Sequence, residues 1–160
     1  MSNIDVIKLA KSIGVQKVII FFPYNQHNLL VPNKEFWDTY TDHKAILCVS
    51  PNTIIKSAPN SNLVIVTENE MTLNYLQEIN DYISNLDNLR NIRIVASDIH
   101  LPRIKRDIQL VFDDKFDIEY IEIKLPISFW KLIYSFREWL IRNLPIYFYK
   151  KLAKNRKNKF

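Results

Sequence analysis

Apolar runs recur along the chain at Val18 to Phe22, Ala45 to Val49, Leu63 to Val66 and Ile92 to Ala96. Each is four or five residues long, the fourth interrupted by Arg93, which predicts strands buried on both faces, and Pro23 stops the first of them. A further run, Phe116 to Ile123, alternates Ile118, Tyr120 and Ile121 with Asp117, Glu119 and Glu122. That spacing predicts an edge strand with one wet side. Helical periodicity fills the intervals at 3 to 13, 33 to 43, 69 to 86 and 102 to 113, then at 127 to 154 with a break at Pro145. In the first helix Ser2 and Asp5 are spaced as a capping pair, Ile4, Ile7 and Ala10 keep one face apolar, and Gly14 is placed to end it. Strands alternating with helices imply parallel pairing, hence a three-layer Rossmann-like α/β sandwich with a mostly parallel sheet of about five strands. The expected organisation is one α/β domain over 1–145 and a basic aromatic C-terminal tail over 146–160. The stretch 50 to 62, with Pro51 and Pro59, makes a poor crossover helix.

Charge changes the picture at one end only. The formal net charge is +5, yet six cations lie between Lys150 and Lys159 with no acid among them. Removing them leaves 16 basic against 17 acidic residues, so the basic character belongs to the tail. No nucleic-acid groove, and no nucleic-acid partner, is expected of such a body. Eight aromatics fall between Phe129 and Tyr149. Leu132, Phe136, Trp139 and Leu140 share one helical side, which is expected to cover the sheet. Beyond Pro145, the run Tyr147-Phe148-Tyr149-Lys150-Lys151 has the composition of an interfacial segment. One reading is attachment of residues 146–160 to an anionic membrane surface, and the other is a frayed, solvated terminus. No secretory signal and no transmembrane helix is expected, which suggests a cytoplasmic protein, peripheral on the inner face of the membrane in the first reading.

Gly14 is the only glycine, so the phosphate loop of nucleotide hydrolases and the G-x-G-x-x-G dinucleotide fingerprint are both excluded. Cys48 is the only cysteine and sits in a buried strand pattern. His27, His43, His100 and Cys48 form no recognised metal-ligand spacing, and no cofactor is indicated.

The informative segment follows the fourth run: Ser97-Asp98-Ile99-His100-Leu101-Pro102-Arg103. Pro102 is placed to open the next helix, and ligands of open α/β sheets bind outside the carboxyl ends of the strands. Ser97 offers a hydroxyl to an anion oxygen, His100 an imidazole that acts as acid or base, and Arg103 a guanidinium in the first helical turn. The strand at 63 to 66 delivers Thr67 to Asn74 to the same end. If the two strands are neighbours, Glu68 and His100 face each other across one crevice. Thr67 and Glu70 have capping-box spacing, which explains them structurally. A hydrolase built on Ser97 lacks the G-x-S-x-G elbow.

The segment Val95 to Arg103 resembles the "V-T-S-x-x-H-M-x-R" segment of the YdcF and SanA type of bacterial α/β proteins, a domain family of unassigned function. Glu68 to Asn74 resembles that family's "E-x-x-x-x-T-x-x-N" segment, and Phe136-Arg137-Glu138-Trp139-Leu140 its C-terminal "R-E-W/Y-L" helix. The resemblance spans roughly residues 63 to 145. It implies a link to the bacterial cell envelope and a phosphate-bearing or nucleotide-like small-molecule ligand. Carried over, it gives His100 and Glu68 catalytic roles and makes Ser97, Arg103, Thr72, Asn74 and Glu138 ligand-binding. Two departures are visible: the family's glycine-rich turns are missing, and Asn74 follows Thr72 by two residues where the family has three. Two rival readings stand beside it, a non-catalytic binding or scaffold protein with a degenerate site, and a nucleotide-sugar transferase-like protein with a related core.

Overall fold

Alternate side chains of the apolar runs enter two separate cores, which is why those runs are apolar throughout except at Arg93, which pairs with Glu119 at 2.8 Å. The computed structural model describes residues 1–24, 27, 29–53, 59, 61 and 63–157, apart from the side chains of 156 and 157. Its strands are β1 (Lys17–Phe21), β2 (Ile46–Val49), β3 (Leu63–Val66), β4 (Asn91–Ser97) and β5 (Asp117–Ile123). Val18, Ile20, Ile46, Cys48, Ile92 and Ile94 fill one core, while Ile19, Phe21, Leu47, Val49 and Val95 fill the other. The sheet is entirely parallel, in the order β3-β2-β1-β4-β5. A three-layer α/β sandwich results, with the helices α1 (Asn3–Ile13), α3 (Thr72–Ile83) and α4 (Leu101–Val111) on the first core. The second core is closed by α2 (Lys34–Tyr40), through Trp37, and receives Tyr134 from α5 (Phe129–Arg142).

Local chemistry fixes the element ends. Ser2 and Asp5 form a complete capping box, and Gly14 ends α1 in the left-handed region at φ 70°. The Asn3 side chain exchanges two hydrogen bonds with the backbone of Val66, so the exposed edge at β3 is partly paired. At the opposite edge β5 alternates exposed and half-buried residues, as its sequence predicts.

Several expectations need correction. Thr67 and Glu70 form no capping box, because the Thr67 hydroxyl donates to Asn69 O instead and α3 begins later, at Thr72 with Met71 as its N-cap. Pro102 is the second residue of α4 and not the first. β3 and β4 are not neighbours, since β2 and β1 lie between them. The last helical region does break at Pro145, but its second half is no frayed end: residues Ile146–Lys157 form α6. Tyr149 and Ala153 of that helix are buried against Leu73, and the Tyr149 hydroxyl donates to the buried Asp107 carboxylate. The Leu132, Phe136, Trp139 and Leu140 side of α5 faces outward, because the inward side of that helix is occupied by a polar network. Residues 54–58, 60 and 62 of the proposed poor crossover helix lie outside the described residues.

Candidate functional site

Strand order decides where a crevice can open. Connections from β1 run toward β2 on one side, while β4 and β5 lie on the other, so the carboxyl ends of β1 and β4 diverge at a topological switch point. The chain leaves β1 through Phe22, Pro23 and Tyr24 and leaves β4 through Ser97 to His100. Between these exits lies a cavity of about 440 Å³, lined on the β1 side by Phe22 and Tyr24 and on the β4 side by His100 and Arg103. Ser50 after β2, Tyr75 of α3, Arg137 of α5 and Glu70 of the preceding loop complete much of its wall. Tyr75 also donates its hydroxyl to Phe21 O and Cys48 O, each at 2.9 Å, tying the ends of β1 and β2.

The start of α3 reaches the start of α4 over the top of the sheet. Thr72 Oγ1 lies 3.0 Å from His100 Nε2, and Arg103 Nη2 approaches the same ring nitrogen at 2.8 Å. A guanidinium only donates, so Nε2 must be the acceptor and the ring proton sits on Nδ1. Burial, then the charges of Arg103 and Arg137, hold the His100 pKa well below its ordinary 6.5. The imidazole is therefore neutral, and its Nδ1 is buried with no hydrogen-bond partner among the described residues. Ser97, at the end of β4, is likewise buried, with a hydroxyl that finds no partner among the described residues.

Arg103 is held from its other side by Glu138 of α5, with Nε 2.9 Å from Oε2 but the N–H aimed off the oxygen. Only 4% of Glu138 is exposed, and burial raises its pKa while Arg103 and Arg137 pull it down. The Tyr24 hydroxyl donates to Glu138 Oε1 at 3.4 Å, and burial pushes that phenol upward. Neither α3 nor α4 has a side-chain cap at its N-terminus, so two sets of backbone N–H groups open toward this end of the sheet.

Of the residues singled out in the sequence, His100, Arg103, Thr72 and Glu138 come together here. Ser97 is adjacent in the same turn but does not line the cavity. Glu68 is exposed, with its backbone N–H bound by the Glu78 carboxylate, and it does not line the cavity either. The acid that does so from that loop is Glu70. Asn74 turns the other way and donates to Ala153 O at 2.9 Å, which fastens α6. Sequence reasoning missed Tyr24, Tyr75 and Arg137. Arg137 had a signal in its place beside Glu138, and Tyr24 in its place just past the end of a central strand. Among the described residues no group of acids, histidines or cysteines is arranged to hold a metal ion. Compared with family models, curated proteins and solved structures, the chain matches none.

Proposed function

We propose that this chain is a YdcF/SanA-like protein that binds a phosphate-bearing, nucleotide-like small molecule in the crevice between β1 and β4. The observation that carries this reading is the cavity at the switch point, where Arg103, Arg137 and two uncapped helix starts converge. Arg103 and Arg137 anchor the anion. His100 acts first as a positioning residue, because its Nε2 accepts from Arg103 and steers that guanidinium. Its Nδ1–H supplies a further neutral donor. Any proton transfer in the crevice falls to Glu70, the carboxylate that lines its wall, while Glu138 lies behind Arg103. We further propose a cytoplasmic location on the inner side of the cell envelope, supported by the resemblance and by the cationic C-terminal region. No helix among the described residues is long and apolar enough to cross a membrane.

Thermal denaturation with inorganic phosphate, nucleotides, sugar phosphates and polyprenyl phosphates tests the reading. A ligand at tenfold excess over its Kd stabilises by about 1.4 kcal/mol, a rise of a few degrees for a domain of this size. The double variant Arg103→Gln/Glu138→Gln removes both charges of the buried pair together, leaves only the solvent-reachable Arg137 without its 3.8 Å contact to Glu138, and should lose that rise. A shift of equal size in the variant would refute the anchoring role. Failure of every compound to shift the melt favours the second reading, a non-catalytic scaffold, which the absence of glycine-rich turns and the partial neutralisation of Arg103 by Glu138 both suit.

A further inference from the structure

The amphipathic helix α5 is mounted the wrong way round for a helix that covers a core. Its one fully buried residue is Glu138, and its inward side carries Lys131 and Ser135 beside Tyr134 and Ile141, which touch core clusters only as half-buried residues. Lys131 is bound by the Asp98 carboxylate at 2.8 Å and by Leu125 O at 2.6 Å, and Arg106 of α4 donates to Arg142 O at 2.6 Å. These polar ties hold the helix from beneath. Above them Phe129, Leu132, Phe136 and Leu140 project into solvent, the first three more than 60% exposed. A run of large apolar side chains this long on one helical face is well beyond the scattered exposed Leu of ordinary surfaces.

Charge around this face selects its occupant. From residue 124 to the end, the sequence holds ten cations and one acid, and that acid is the buried Glu138. After the turn at Asn143 to Pro145, α6 adds exposed Tyr147 and Phe148, followed by exposed Lys150, Lys151 and Lys154. A second copy docked by two-fold symmetry would bring these like charges together, with no exposed acid on the facing helices to offset them. An anionic bilayer satisfies both features at once, taking the apolar face into the acyl boundary and the lysines among its headgroups.

We propose that α5 is an in-plane membrane anchor, with α6 its cationic flank, and that the protein docks by this face on a bilayer containing anionic lipid. The proposal stands apart from the ligand reading, since none of its outward residues lines the cavity between β1 and β4.

The test is cosedimentation of the full chain with vesicles of phosphatidylcholine alone and of phosphatidylcholine mixed with phosphatidylglycerol. Trp139, half exposed on the edge of this face, reports insertion through a blue shift of its emission. The full chain should pellet with the mixed vesicles and weakly with the neutral ones. Phe136→Glu/Leu140→Glu should reduce partitioning roughly tenfold or more, while a melting temperature near wild type shows that the fold persists. Lys150→Gln/Lys151→Gln/Lys154→Gln, which alters exposed positions only, should weaken binding to mixed vesicles and leave the neutral background unchanged. Undiminished pelleting by both variants overturns the proposal, as does failure of the wild type to bind mixed vesicles. So does light scattering that shows a wild-type dimer converted to monomer by Phe136→Glu/Leu140→Glu, since the face then belongs to a second copy.

Discussion

Replacing His100 by glutamine should flatten the acid limb of the stability profile. In the native state the imidazole is buried and neutral, with Nε2 engaged by Arg103 and a pKa held well below 6.5. In the unfolded chain the same ring titrates near 6.5. Below that pH the unfolded state takes up a proton that the native state refuses, so stability falls as the solution is acidified. The full contribution is present above the unfolded value. One unit below it, near pH 5.5, the loss amounts to about 1.4 kcal/mol. Glutamine keeps an acceptor for Arg103 and does not titrate. Glu138 and Asp107, whose carboxyl pKa values are raised by burial, act with the opposite sign at lower pH, but they remain in both proteins and cancel in the difference. Urea unfolding between about pH 8 and pH 5.5 measures the effect, and with an m value near 2 kcal/mol/M the wild-type midpoint should drop by roughly 0.7 M more than that of the variant. Parallel profiles for the two proteins would show that His100 takes up a proton in the fold as readily as in the unfolded chain, and with it the assignment of Nε2 as an engaged acceptor would fail.

Glu138→Gln leaves Arg103 partly buried without its carboxylate, so the variant should lose about 3 kcal/mol in chemical denaturation while binding inorganic phosphate more tightly by calorimetry. Tyr149→Phe removes the hydroxyl donated to the buried Asp107 carboxylate and should lower stability by about 1–2 kcal/mol, measured by urea unfolding. An unchanged midpoint would mean that the Tyr149–Asp107 hydrogen bond contributes little to the domain. Gly14→Ala meets only Asn88 Nδ2 at 3.6 Å, so its penalty is conformational, from φ 70°, and should be about 1 kcal/mol.

The strands were legible because each run is long enough to be read whole and its composition admits no other burial pattern. Gly14 and the Ser2 cap were legible for the same local reason, since cap chemistry depends on a few consecutive residues. Strand order was not. The neighbours of β4 are β1 and β5, and nothing in the residues of β3 forbids the pairing that would have brought Glu68 to His100. The direction of α5 was also hidden: periodicity shows that Leu132, Phe136 and Leu140 share a side, but not whether that side meets a core. Only the partners of Lys131 and Glu138, supplied by Asp98 and Arg103 far upstream, turn the helix over. The cluster of His100, Arg103, Thr72 and Glu138 was half legible, since its members were identified singly while the imidazole's engagement by arginine depends on packing.

The walls of the crevice come from segments that meet only when Lys17 pairs with Asn91, across the whole intervening run of α2, β2, β3 and α3. Closing so long a loop is a late and entropically demanding event in folding. A nascent chain that ends before β4 has one wall and no pocket. On the proposed function, a phosphate compound held there should therefore slow unfolding while leaving the folding rate unchanged, and its binding would certify that synthesis and folding are both finished.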